Sequence, residues 1–170
     1  NEPYNHRVLY LDNNEALVYW QDTRWGASKI YGSKINSSFD GTSDIFSNED
    51  INGDSLTSLP LAQDAPKAIL AGNNVFLSFK VEESPNENLY FQLLNIDLSP
   101  TDTATALASS STSKQGFDIV YGNDAYIYYA YSENYDISIK KLSSNGNEQW
   151  SILAVTNSTD DIIKSIYPLP

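Results

Sequence analysis

A seven-residue phrase that occurs three times constrains the fold of this chain more than any other feature. It reads Asn14-Glu15-Ala16-Leu17-Val18-Tyr19-Trp20, then Asn73-Asn74-Val75-Phe76-Leu77-Ser78-Phe79, then Asn123-Asp124-Ala125-Tyr126-Ile127-Tyr128-Tyr129, at spacings of 59 and 50 residues. A recurrence of that size marks one supersecondary unit stacked on copies of itself. The phrase is rich in β-branched and aromatic residues, which suit a pleated, half-buried surface, so it is expected to form a strand. Trp20, Phe79 and Tyr129 close the three copies and are expected to be equivalent anchors between sheets.

Each copy extends in both directions. A strand precedes the phrase at Val8–Leu11, Lys67–Leu70 and Phe117–Val120, and a short turn of Asn, Asp, Gly or Ala joins the two. Gly, Asn and Asp tolerate the positive φ that tight hairpins need. A third strand is expected at Ile30–Ile35, Leu89–Leu94 and Ile137–Leu142, after polar hairpins. The fourth is less regular, with candidates Asp44–Phe46, Thr103–Leu107 and Gln149–Leu153. Residues 163–167 look like 66–70, so a fourth copy is expected to begin there. No helical periodicity competes with this pattern. The sequence therefore predicts an all-β chain of three four-stranded antiparallel propeller blades plus the first strand of a fourth, a partial β-propeller. As one segment over 1–170, its repeats run about 7–60, 66–110 and 116–156, with the next starting at 162–170.

Charge and composition narrow the function. The formal net charge is −12, which argues against nucleic acid, whose phosphates need clustered Lys and Arg, and against an anionic membrane surface. No apolar run reaches the length of a membrane span. With no cysteine, disulfides and thiolate metal sites are excluded. The chain lacks methionine and opens on Asn1, which sets the expectation of a processed product or a segment of something longer.

Several motifs resemble a known class. Trp20-Gln21-Asp22-Thr23-Arg24-Trp25-Gly26, Leu89-Tyr90-Phe91-Gln92 and Asn145-Gly146-Asn147-Glu148-Gln149-Trp150 are similar to the Trp-x-Asp-x-Arg hairpin, Ile-Tyr-x-Gln strand and Gly-Asn-x-x-Trp return of secreted bacterial β-propeller repeat proteins. The Asp-x-Arg pair survives only in the first copy. Ser143-x-Asn145-x-Asn147-x-x-Trp150 resembles the Asp-box turn of sialidase-type propellers, a structural element, which places Trp150 in a core between blades. The resemblance implies architecture and an extracellular or cell-surface setting rather than a reaction.

Candidate sites are few. Trp25, Tyr131 and Tyr135 sit on or near second-to-third-strand hairpins, where exposed aromatics stack on sugar rings or anchor a protein. Asp50, Asn52 and Asp54 have the first spacings of a calcium loop, but Ser55 stands where glycine belongs and Leu61 where the bidentate acid belongs. Asp22 and Arg24 are expected to form a surface ion pair that shapes a turn. His6 is the single histidine, so no Ser-His-Asp arrangement is credible, and no catalytic residue is assigned. Glu87–Gln92 matches the string cut by a plant-virus protease used to remove tags, yet it falls in register on the repeat's third strand. Three blades are too few to close a ring, so another chain or the rest of a larger precursor is expected to complete it. The expected function is a non-enzymatic binding or assembly module for protein or glycan partners. The alternative is part of a secreted glycan-active hydrolase on a propeller scaffold.

Overall fold

The computed structural model describes residues 4–11, 15–24, 26–36, 53–156 and 163–167. The described residues form three four-stranded antiparallel sheets, each folded up and down in chain order. The first holds β1 (Tyr4–Tyr10), β2 (Glu15–Asp22), β3 (Lys29–Asn36) and β4 (Asp54–Ser55). The second holds β5 (Gln63–Ala71), β6 (Asn74–Glu83), β7 (Asn86–Asn95) and β8 (Thr105–Ala108). The third holds β9 (Lys114–Tyr121), β10 (Ile127–Glu133), β11 (Asp136–Leu142) and β12 (Glu148–Val155). Neighbouring sheets touch through their first strands, β1 against β5 and β5 against β9.

Two cores lie between the three sheets. Strand alternation puts Leu17 and Tyr19 on the face of the first sheet that meets Val75, Leu77, Phe79 and Val81 of the second. The opposite face of the second sheet supplies Phe76, Leu89 and Phe91 to meet Phe117, Ile127 and Tyr129 of the third. The second sheet is thus buried on both faces, which is why β6 reads as an almost unbroken apolar run. Phe76 stacks on Phe91 at 4.6 Å between ring centroids. The anchors occupy equivalent faces. Phe79 and Tyr129 are fully buried, each against the preceding sheet. Trp20 alternates with Tyr19 and so lies on the face of the first sheet turned away from the second. Burying one such ring contributes roughly 1.5–3 kcal/mol.

Four local expectations change. The strand that pairs with β3 is β4, with Tyr31 opposite Ser55; Asp44–Phe46 lies outside the described residues. In the third copy Asn123–Tyr126 is a loop, not a strand. Gly122 N donates to Tyr126 O at 2.8 Å, and β10 begins at Ile127. The third-strand alignment is also two residues out of step. The hairpins of the second and third sheets both close over two residues, Ser84–Pro85 and Asn134–Tyr135, so Phe79 faces Tyr90 and Tyr129 faces Lys140. Lys140, not Ser138, is the counterpart of Tyr90. A two-residue slip keeps every side chain on its own face, so alternation alone cannot detect it. Finally, residues 163–167 form no strand ladder. The Ile166 amide holds them to the third sheet, donating to Asp118 Oδ2 at 2.7 Å.

Candidate functional site

Among the described residues, most of the buried polar side chains gather at one end of the sheets. There the second-to-third-strand hairpins meet the starts of the first strands. Each first strand carries a bulge near that end, between Tyr4 and Arg7, between Asp64 and Lys67, and between Lys114 and Gly116. Asn5 and Ala65 sit in the first two bulges with φ 54° and 50°. Bulges re-aim side chains and recur beside active sites.

At the junction of the first two sheets Gln21 is the hub. It is 2% exposed. Its Nε2 has three acceptors within reach of its two N–H groups, Ser28 Oγ at 2.7 Å, Tyr4 OH at 2.9 Å and Gln63 O at 3.0 Å. Its Oε1 accepts from Asn5 Nδ2 at 2.8 Å, and the same Nδ2 reaches Asp64 Oδ1 at 3.4 Å. Gln21 continues the inward series Leu17, Tyr19, so its polarity at an inward position was the readable sign of this hub.

The next junction uses a charge. Lys114 is 1% exposed, and its ammonium donates to Thr112 O at 2.7 Å, Ser110 Oγ at 2.9 Å and Glu133 Oε1 at 3.1 Å. Three donors thus meet three acceptors, the condition for burying an ammonium. Gln63, which also opens a first strand, does the same with an amide. Its Nε2 donates to Leu59 O at 3.0 Å and its Oε1 accepts from Thr57 Oγ1 at 2.6 Å. In both copies the residue that opens the first strand clamps the connection from the sheet before.

The carboxylates at this end differ in availability. Asp22 is buried rather than on the surface. It accepts from Arg24 Nε at 2.6 Å and Arg24 N at 2.8 Å, and the guanidinium lies 4.7 Å from the Tyr31 ring centre. Burial alone would raise its pKa, but the Arg24 hydrogen bonds and charge outweigh burial and hold it below the ordinary carboxylate value. Glu83 accepts from Tyr90 OH at 2.7 Å and Asn88 Nδ2 at 2.5 Å. That bond from the phenol, aided by burial and the Glu83 charge, raises the Tyr90 pKa. Glu133 is taken by Lys114 and Ser110. Asp64 differs. It is exposed, stands on a first strand, and accepts from Asn5 and from the Ala65 amide.

The sequence-predicted residues fall apart in space. Tyr135 is at this end, 39% exposed on its hairpin tip, with its amide donating to Gln115 Oε1 at 3.1 Å. Tyr131 is half-buried and packs on the core between the second and third sheets, its ring 6.2 Å from that of Tyr129. Trp25, Asp50 and Asn52 lie outside the described residues, and Asp54 is exposed in β4. Among the described residues no three His, Asp or Glu side chains form a group able to hold a metal ion. Trp150 is not in a core. It is 40% exposed on β12, although the Ser143–Asn147 turn before it is structural, with Asn147 N donating to Ser143 Oγ at 3.2 Å.

No protein-family model matches the chain, and no curated protein matches it. Among solved structures it is similar to a family 117 glycoside hydrolase produced by the marine bacterium Zobellia galactanivorans, with a TM-score of 0.56 and 12% identity. The match covers 91% of this chain and 47% of that one, so this chain spans about half the length of the hydrolase. At that identity the likeness is one of fold.

Proposed function

We propose that the three sheets are consecutive blades of a β-propeller belonging to a secreted, glycan-active protein, and that the hairpin end is its ligand-facing mouth. The observation that carries this reading is the fold likeness over 91% of the chain to a glycoside hydrolase. First strands that touch one another, as β1, β5 and β9 do, suit blades set around a common axis. Glycoside hydrolysis needs a pair of carboxyl groups about 5–10 Å apart across the scissile bond. Asp64 suits one member of the pair: it is exposed on a first strand and its bonds from Asn5 and the Ala65 amide both fall on Oδ1, whereas Asp22 and Glu133 are ion-paired and Glu83 holds Tyr90 and Asn88. The other member would come from another part of the ring. A net charge of −12 favours neutral over sulfated or uronate glycans, which the surface would repel.

The test is release of reducing ends from a panel of neutral and anionic polysaccharides. Hydrolysis of a neutral polysaccharide that falls about 10²–10⁴-fold in Asp64→Asn supports the reading. Turnover unchanged in that variant removes Asp64 from the chemistry. Binding without turnover would instead support the non-enzymatic module, which the exposed Tyr135 favours.

A further inference from the structure

The third sheet packs on the second through one face of β9, β10 and β11, and no described sheet packs on its other face. Ile127, Tyr129 and Leu142 pack against the second sheet. The other face carries adjacent cross-strand rows: Val120, Tyr128, Lys141 and Trp150, then Asp118, Ala130, Ile139 and Ile152. β12 is an exposed edge strand, with Trp150, Ile152 and Val155 on this face and Leu153 on the other. Contiguous apolar surface of this kind marks an interaction site.

The bare face is prepared for burial. Its one lysine, Lys141, is paired with Asp124 Oδ2 at 2.8 Å, and its ammonium lies 4.0 Å and 5.4 Å from the Tyr126 and Tyr128 ring centres. A lone charge there would oppose docking, whereas this one already has its counter-ion. Tyr128 holds the position in the repeat of Tyr19, whose hydroxyl accepts the Ala68 amide from the first strand of the sheet that follows it. The two junctions inside the chain therefore show what a sheet offers to the next one.

Asp118 supplies the register. It stands on β9, the strand of the third sheet nearest β5. Its Oδ1 accepts from Lys67 Nζ of the second sheet at 2.8 Å, and its Oδ2 accepts from Ile166 N at 2.7 Å. One carboxylate thus ties together the first strands of the second and third sheets and the segment that follows. The Ile166 bond holds residues 163–167 beside β9.

We propose that the bare face of the third sheet seats a further four-stranded sheet of the same polypeptide, which follows residues 163–167 and is registered by Asp118. This rests on the propeller reading above. A second copy of the chain is the weaker occupant, because two surfaces of charge −12 repel.

Hydroxyl-radical footprinting of the polypeptide as its source makes it, with sedimentation on the same sample, tests the inference. Tyr128 and Trp150 protected in a monomer is the expected result. Reactive Tyr128 and Trp150 would overturn it, and so would protection that appears only in a concentration-dependent dimer. Asp118→Ala should speed exchange of the Ile166 amide about tenfold or more, through loss of a charge-assisted bond, and Asp118→Asn should largely restore protection. Unchanged exchange in Asp118→Ala removes the registering role. Protection intact in a protein that binds and cleaves no glycan would overturn the proposed function and leave this inference standing.

Discussion

Tyr135 is held in the left-handed region at φ 65°, next to Asn134 at φ 55°. Two positive φ values in a two-residue hairpin fit a type I′ turn, where Asn suits the first position and Gly the second. A tyrosine there costs about 1–2 kcal/mol relative to glycine. Strain kept at an exposed tip points to a use for the ring. Tyr135→Gly should raise the thermal midpoint while weakening glycan binding; calorimetry and a binding titration on the same variant check both. A gain in stability with binding unchanged would make the ring dispensable. Lys114 allows a second substitution experiment. Gln63 does its task in the neighbouring copy with an amide, so Lys114→Gln should be tolerated within about 1–2 kcal/mol. Lys114→Met strands Glu133 and the Thr112 carbonyl and should cost about 3–5 kcal/mol. Denaturant unfolding of the pair gives the difference directly.

At the scale of strands and junctions, the sheets are joined by tyrosines that must stay neutral. Tyr129 is fully buried between the second and third sheets, with Ser78 Oγ 3.1 Å from its hydroxyl. Burial pushes its pKa well above 10.0, only partly offset by that hydrogen bond. Tyr19, between the first and second sheets, is raised by burial as well, against the opposing Ala68 amide and Arg7 charge. Raised folded values mean that the unfolded chain loses these protons first. Their contribution is complete below about pH 10 and is lost as pH rises beyond it. Alkaline titration followed by tyrosinate absorbance should show late phenols ionising together with loss of the β circular dichroism signal. Independent, non-cooperative titration of all twelve tyrosines would contradict the packing. These elements were mostly legible in the sequence, because the phrase recurs and is rich in the β-branched and aromatic residues that suit a strand. Ladder register was not legible, since β11 can slip by two without changing face. The polar clamps were harder still. Gln21 is marked by its polarity at an inward position, but Gln63 and Lys114 reveal themselves only once the sheets are stacked and the connections are in place.

For the whole molecule, the two outer faces carry the same meaning. Val8 and Tyr10 on β1 are 69% and 65% exposed, and alternation places them with Trp20 on the face of the first sheet turned away from the second. The third sheet shows Trp150 and Ile152 on its own far side. The array thus has apolar flanks on both outer sheets and polar clamps at the hairpin end, an arrangement that the proposed ring of blades requires. The sequence pattern alone pointed to display of Trp25, Tyr131 and Tyr135. Stacking the sheets half-buries Tyr131 against a core and moves the emphasis to the polar clamps at the hairpin end. The measurement closest to that claim is backbone amide shift mapping during titration with neutral oligosaccharides. The account predicts shifts confined to Asn5, Asp64, Ala65, Gln115 and Tyr135. Shifts confined to the Gly72, Asn123 and Gly146 turns at the opposite end, or none across the oligosaccharides tried, would contradict it.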